Sequence, residues 1–281
     1  MKVRQSTLGD FDTCGRRMQY SIESPIYHGG IGRAIGTAYH FGLEWAYNAE
    51  LQNGVWPDVR MACIEAAECL QRTVDLEPSH ESEQSKQRGE FKWDDTHPDF
   101  DSAYETLERM LHAYWADPDA HWQAPWKVLA TEQGFSQELW NGHTRDGSID
   151  LVGLDPDGFI FGEDHKTAGK NKWAYNKHHA RKQNQAPWYV AALMRMYPDA
   201  PGYRFFFDIM THKGVFERRE TIVTPAHIEA VEQKALQVVT LFEGMRSAGL
   251  DMPANPASNL CSPKFCDHWD ICPYGQALEV Q

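Results

Sequence analysis

Cysteines at the two ends of the chain constrain its fold more than any other feature. Cys14 lies near the start, whereas Cys261, Cys266 and Cys272 crowd the end. Thiolates from such distant positions can close only around a soft metal or a metal–sulfur cluster. The pattern therefore predicts that both ends of the chain meet in the fold. A structural zinc site and free buried thiols are the alternatives, because zinc also accepts four thiolates.

The two remaining cysteines and the bulk composition indicate a cytosolic protein. Cys63 and Cys69 fall on different faces of a predicted helix and are interpreted as buried apolar residues. No apolar run approaches the roughly 20 residues that span a bilayer, and the start lacks a secretion signal. In the cytosol, six cysteines are expected to be reduced or metal-bound rather than paired in disulfides. We expect no membrane partner.

The charge of the chain limits how it could meet nucleic acid. The formal net charge is -13. This value argues against a general nucleic-acid coat protein, since phosphate binding needs cations. An enzyme with acidic outer helices and one local basic groove remains compatible with it.

The hydrophobic pattern predicts an α/β protein with a mixed central sheet flanked by helices. Ser6 is the predicted N-cap of the first helix, and the polar, acid-rich stretch 77–101 is predicted as a loop or linker. A first predicted helix begins within 5–20 and has Cys14 at or just past its end. Further predicted helices cover 31–50, 58–76, 102–115, 181–196 and 225–248. Predicted strands cover 126–140, 143–154, 158–166, 203–212 and 215–223.

An acid-acid-lysine set lies on one predicted hairpin. The alternation of strand side chains puts Asp164 and Lys166 on one face, and Asp150 lies on the preceding strand. A four-residue loop would set Asp150 opposite Glu163, whereas a five-residue loop or a bulge would set it opposite Asp164. Metal chemistry requires the second arrangement, in which two carboxylates bind Mg²⁺ or Mn²⁺ and the lysine assists a water. The alternative is a surface hairpin with ordinary charges.

Two segments of this hairpin resemble the core motifs of a known nuclease family. Residues 147–150 (GSID) and 164–167 (DHKT) are similar to the two core motifs of the PD-(D/E)XK superfamily. The nearest branch is the RecB-like exonucleases, which include the AddB nuclease domain and the CRISPR-associated iron–sulfur exonucleases. Residues 36–40 (GTAYH) resemble the helical G-x-x-x-H motif, and residues 185–189 (QAPWY) resemble the Q-x-x-x-Y motif.

The resemblance assigns expected roles along the chain. It implies that His40, Asp150 and Asp164 bind the metal and that Lys166 assists the attacking water. It also implies that Gln185 and Tyr189 support the site or contact DNA, and Glu132 falls where relatives often carry a glutamate. The family commonly has Tyr or Phe where this chain has His165, and Pro187 is unusual within the Q-x-x-x-Y helix.

The same branch implies an identity for the cysteine site. Its members hold a 4Fe–4S cluster with one cysteine before the core and three after it. Cys14, Cys261, Cys266 and Cys272 match that order. The first C-terminal gap has four intervening residues, where the family usually has two.

Residues 166–182 form a local basic track with no acid. A basic track interleaved with aromatic residues suits single-stranded DNA, since phosphates meet cations and bases stack. An ordinary solvated loop is the alternative. The predicted DNA contacts are Lys170, Lys172, Trp173, Lys177, Arg181 and Lys182.

Together these patterns predict a Mg²⁺- or Mn²⁺-dependent DNA exonuclease in a single RecB-like domain over residues 1–281. The expected parts are a helical region at 31–120, a catalytic sheet at 126–225 and a cluster joining the ends. The resemblance implies work on single strands or DNA ends in recombination, repair or CRISPR adaptation. The alternatives are a non-catalytic DNA-end-binding assembly subunit and a structure-specific endonuclease. No Walker-type motif is present, so a helicase, recombination or CRISPR integration partner would be a separate chain.

Overall fold

A computed structural model describes residues 1–27, 29–75, 87–88, 91–169, 182–263 and 265–278. The first half is mainly helical. In chain order its elements are β1 (Lys2–Val3), α1 (Gln5–Thr13), α2 (Gly15–Glu23), β2 (Ile26–Tyr27), α3 (Ile31–Asn53), α4 (Val59–Val74), β3 (Gln87–Arg88) and α5 (Phe100–Ala116). The capped starts of α4 and α5 follow the sequence, since the Asp58 and Asp99 carboxylates each accept a backbone N–H of the first turn.

The second half carries most of the sheet. Its elements are β4 (Lys127–Trp140), β5 (His143–Leu154), β6 (Ile160–Ala168), α6 (Gln185–Met196), β7 (Tyr203–Thr211), β8 (Phe216–Thr221), α7 (Pro225–Ser247), a 3-10 turn (Trp269–Ile271) and α8 (Pro273–Leu278). The predicted mixed sheet with flanking helices is confirmed. No helix in the described ranges is long and apolar enough to cross a membrane.

The sheet contains six strands, and β5 is its branch point. One edge of β5 pairs with antiparallel β4 along most of its length. The other edge is shared, because β1 pairs with Thr144 and Arg145 while β6 pairs from Leu151 to Leu154. Parallel β7 and antiparallel β8 then extend the sheet beyond β6. Between β1 and β6 the shared edge of β5 has no strand partner in the described part of the chain, which leaves a gap in the sheet.

Helices cover both faces of this sheet, and in β6 and β7 the alternation of strand residues decides which core each side chain joins. Phe161 and Phe206 pack with α3, α4 and α5 on one face. Ile160 and Phe205 pack with α1, α6 and α7 on the other. Even-numbered residues of β6 therefore face α6, and odd-numbered residues face α3 and α5.

The predicted end of the first helix at or just before Cys14 agrees with α1, but a second helix, α2, starts directly after Cys14. Cys14 separates α1 from α2 in an extended conformation, and Arg4 rather than Ser6 is the N-cap of α1. The break follows from a tertiary contact. A Cβ on Gly15 would come within 2.9 Å of the Pro253 carbonyl oxygen, which also accepts the Arg16 N–H at 3.1 Å. The short strands β1, β2 and β3 and the last helix were not predicted.

Candidate active site

The β5–β6 loop sets the two central carboxylates opposite each other. Leu154 pairs with Ile160, so the loop has five residues, and the ladder ends at Leu151 and Glu163, which are the direct neighbours of Asp150 and Asp164. The Asp155 carboxylate fixes this loop by accepting the backbone N–H groups of Asp157 at 2.9 Å and Phe159 at 2.8 Å. This is the register that metal chemistry requires.

His40 reaches the hairpin from α3. Its Nδ1 lies 3.3 Å from Asp150 Oδ2, the same oxygen that accepts the His165 backbone N–H at 2.7 Å. The helix can approach because Gly36, one turn earlier, has no side chain. A Cβ there would lie 2.8 Å from Thr167 Oγ1 at the end of β6. Gly36 therefore sets the distance between His40 and the catalytic strand.

The Asp164 carboxylate contacts one residue of its own strand, β6, and one residue of α6. The Lys166 ammonium forms an ion pair with Asp164 Oδ2, and the Gln185 amide donates to Oδ1 at 2.5 Å. The same amide nitrogen lies 3.4 Å from the Tyr189 hydroxyl. Gln185 is the first residue of α6, so Pro187 falls in the first turn, where a missing N–H costs no helical hydrogen bond. Gln185 and Tyr189, four residues apart, share the face directed at the carboxylates.

Glu132 adds a third carboxylate. It lies between Thr131, which pairs with Leu151, and Gln133, which pairs with Ile149, so it faces Asp150 across β4 and β5. The Ser148 hydroxyl donates to Glu132 Oε2 at 2.8 Å. Glu132 has a φ of 42°, a left-handed conformation that costs a non-glycine residue about 1–3 kcal/mol.

Burial and mutual repulsion dominate the electrostatics of this group. Burial, followed by the Asp164 and Glu132 carboxylates, raises the pKa of Asp150 well above its usual range. Burial also raises the pKa of Asp164, against the opposing effect of Lys166. Three carboxylates beside one ammonium leave an excess of negative charge, and the oxygen donors suit a hard divalent cation. The donor types therefore fit Mg²⁺ or Mn²⁺, and the ligand atoms of His40, Asp150 and Asp164 are not all within 4.8 Å of one another.

A second buried group lies on the opposite face of β6. Ligand atoms of Glu163, His165 and Asp208 come within 4.8 Å of one another, and no other such trio occurs in the described ranges. The Arg218 guanidinium already lies there, donating to Asp208 at 2.6 and 2.7 Å and approaching Glu163 at 3.3 Å. The guanidinium carbon Cζ of Arg218 lies 3.6 Å from the centre of the Trp122 ring. Because Arg218 supplies the cation, we assign this group a structural role.

The Arg218 network was missed by sequence reasoning. The alternation of strand side chains alone puts Glu163 and His165 on the face of β6 opposite to Asp164 and Lys166. Nothing in the sequence indicates that Asp208 and Arg218, which pair across β7 and β8, complete the network.

The four terminal cysteines line one cavity between α2 and the C-terminal segment. No three of their sulfurs, all in described residues, lie within 4.8 Å of one another. Zinc with Zn–S bonds of about 2.3 Å would hold four sulfurs roughly 3.8 Å apart.

Most of the predicted basic track lies outside the residues that the structure describes. Lys182 is exposed just before α6. The other predicted DNA contacts lie outside the described residues: Lys170, Lys172, Trp173, Lys177 and Arg181.

Comparison with known families identifies the class of protein. The PD-(D/E)XK nuclease superfamily matches residues 4–273, and the chain belongs to this superfamily. No curated protein is significantly similar to it.

Two solved structures are similar to the chain. SSO0001 is 12% identical, with 96% of this chain and 93% of that one covered at a TM-score of 0.37. A protein of Eubacterium rectale, provisionally described as an exonuclease, is 13% identical, with coverage of 83% and 86% and a TM-score of 0.38.

Proposed function

We propose that this nuclease is a Mg²⁺- or Mn²⁺-dependent exonuclease of the RecB-like branch that degrades single-stranded DNA or DNA ends. One observation carries the proposal: Asp150 and Asp164 face each other across β5 and β6, with Lys166 paired to Asp164 and His40 at 3.3 Å from Asp150. We propose a single nuclease domain that serves recombination, repair or CRISPR adaptation, with any helicase or integration partner on another chain.

The residues of the chain divide the work of hydrolysis. A divalent cation bound by His40, Asp150 and Asp164 would polarise the scissile phosphate and lower the pKa of a water. Lys166, beside Asp164, orients the attacking water and offsets negative charge that grows on the phosphate oxygens. Gln185 holds the Asp164 carboxylate in place. Water oxygen bonds to phosphorus while one ester P–O bond breaks, leaving a phosphate on one product and a hydroxyl on the other.

We further propose that Cys14, Cys261, Cys266 and Cys272 hold a 4Fe–4S cluster. Four cysteines that line one cavity support a metal or cluster site, and the resemblance to the iron–sulfur branch favours the cluster over zinc. The role is structural, because these cysteines lie between α2 and the C-terminal segment rather than on the catalytic hairpin.

Degradation of end-labelled single-stranded DNA tests the nuclease reading. We expect degradation with Mn²⁺, none with EDTA, and none by Lys166→Ala, whereas Lys127→Ala, an exposed lysine at the start of β4, stays active. Equal degradation in all four samples would reject the proposal. A circular single strand separates the two modes of cleavage, since an exonuclease leaves it intact and an endonuclease cuts it.

A further inference from the structure

We propose that a groove on the α3 side of the molecule binds the single strand that enters the active site, which rests on the proposed nuclease function. Two cavities of about 530 and 480 Å³ share Gly32 and Asp94 and so form one groove. Each is within the range of about 300–1,000 Å³ typical of ligand sites. One end reaches Thr167 and Gly169 at the end of β6, where Thr167 is on the side of the strand that faces α3. We call this feature the α3 groove.

Cations line the α3 groove along its length. Arg109 and Lys213 lie at the active-site end, and Arg33 and Lys92 lie further along, all with exposed side chains. A chain with a formal net charge of -13 rarely concentrates cations in this way by chance. Their order along one groove complements the repeating charge of a phosphate backbone.

Acidic side chains also line the groove. The Asp94 carboxylate accepts the backbone N–H groups of Thr96 at 2.9 Å and His97 at 2.7 Å. Asp267 forms an ion pair with Arg33 at 3.1 Å. A third acid, Asp270, lies at the far end beside the cysteine segment. The active-site half of the groove therefore keeps a positive excess.

Two large aromatic side chains at the groove are exposed. Trp93 is 38% exposed and Phe265 is 49% exposed. Side chains of this size are usually buried, and exposed ones at a charged groove are the feature on which unpaired bases stack. A duplex hides its base faces, so this combination favours a single strand.

The groove surface is fixed before any ligand arrives. The Lys92 N–H donates to the Gly29 carbonyl at 2.8 Å, and the Ile31 N–H donates to the Lys92 carbonyl at 3.0 Å. At the active-site end, the Arg109 guanidinium donates to the His212 carbonyl at 3.0 Å. A backbone segment and an arginine side chain held in this way lose little freedom on binding.

Binding of a fluorescent oligothymidylate, measured by anisotropy in EDTA, tests the α3 groove without cleavage. Trp93→Leu should weaken binding roughly tenfold or more, whereas Trp93→Phe, which keeps a ring, should change it little. Arg109→Ala with Lys213→Ala should lower the slope of log affinity against log salt by about 1.4, at roughly 0.7 for each lost phosphate contact. The matched control, Lys127→Ala with Arg246→Ala, removes two exposed cations outside the groove and should keep the wild-type slope.

A small phosphodiester separates failure of the groove from failure of the nuclease. Bis-p-nitrophenyl phosphate needs only the metal site, so groove variants should hydrolyse it with Mn²⁺ as the wild type does, whereas Lys166→Ala should not. Wild-type oligonucleotide binding by Trp93→Leu and by the Arg109/Lys213 double variant would overturn the groove, whatever happens to hydrolysis. Weakened binding by these variants, with no hydrolysis by the wild type, would support the groove and reject the nuclease.

Discussion

Asp150 and Asp164, two of the three proposed metal ligands, each have a neighbour that fixes their orientation. Asp150 accepts the His165 backbone N–H, and Asp164 accepts from Gln185. His40 depends instead on the position of its helix, which Gly36 allows close to β6. Such outer contacts commonly decide metal affinity as much as the ligands themselves.

Gly36→Ala should separate stability from activity. The new methyl group would meet Thr167 Oγ1 at 2.8 Å, so α3 must move and His40 with it. Alanine favours the helix by about 0.5–1 kcal/mol, which offsets part of the strain. We expect a similar melting temperature but Mn²⁺-dependent cleavage that is roughly 10- to 100-fold slower.

Two further variants check the cause of that loss. Adding Thr167→Ala removes the clashing oxygen and should restore much of the cleavage rate. Gly244→Ala in α7, where a Cβ meets nothing within 4 Å, should stabilise the fold without changing cleavage. If the double variant stays as slow as Gly36→Ala alone, contact with Thr167 is not the reason.

Arg218→Ala should destabilise the protein strongly. It would leave the buried carboxyls of Glu163 and Asp208, whose pKa values burial already raises, without their cation. Removing one partner of a buried charge group costs about 3–5 kcal/mol, which urea unfolding would measure. Arg246→Ala, an exposed arginine in the last turn of α7, should cost about 1 kcal/mol or less. A similar small loss for both variants would contradict the structural role of Arg218.

At the scale of elements, the loop between β5 and β6 shows where sequence reasoning stops. Alternation correctly put Asp164 and Lys166 on one face, but loop length decided the partner of Asp150. The residues typical of turns end at Gly158, which favours a loop of four residues. The Asp155 N–H donates to the Phe159 carbonyl at 2.9 Å, and this bond makes Phe159 the fifth residue of the loop. Residue types alone do not predict that bond.

Asp155→Ala tests whether this loop maintains the register. The buried Asp155 carboxylate accepts two backbone N–H groups and pairs with Arg204 at 3.1 Å, so its loss should cost about 1.5–3 kcal/mol. We expect weaker Mn²⁺ binding by calorimetry as well, since Asp150 and Asp164 depend on the register. Asp157→Ala, an exposed neighbour, should leave both quantities unchanged. Unaltered Mn²⁺ affinity in Asp155→Ala would show that the hydrogen bonds between β5 and β6 fix their register without the Asp155 carboxylate.

Helices with a strong local pattern were predicted well, and tertiary contacts explain the exceptions. α3, α4, α5 and α7 differ from prediction by at most three residues at either end. The restart of the chain as α2 after Cys14 depends on Pro253, far away in the sequence, and so leaves little local signal. The same holds for Arg218, whose partners lie on other strands.

At the scale of the whole molecule, hydrogen bonds bring the two ends together beside the cysteines. The Met252 N–H donates to the Gln19 side chain at 2.8 Å, and the Arg16 N–H donates to the Pro253 carbonyl at 3.1 Å. The Asn255 N–H points at Cys14 Sγ at 3.3 Å. The predicted meeting of the ends is therefore present in the fold, and the thiolates add to an existing contact.

Cys272→Ala should lower both the bound metal and the melting temperature. The remaining three thiolates cannot complete the site, so we expect elemental analysis to find much less iron per chain. Cys69→Ala removes a buried thiol from α4, away from the site, and should keep the iron content of the wild type. Full iron content in Cys272→Ala would remove this residue from the ligand set.

The gap in the sheet has a consequence for inhibition. Strands β1 and β6 pair with different parts of the same edge of β5. Between these parts, residues 147–150 form no strand pair along that edge in the described part of the fold. Backbone groups at such an edge cannot be changed by side-chain mutation, and an extended peptide can pair with them. A peptidomimetic added as an extra strand would sit against Asp150, and resistance to it could not arise by replacing the groups it binds.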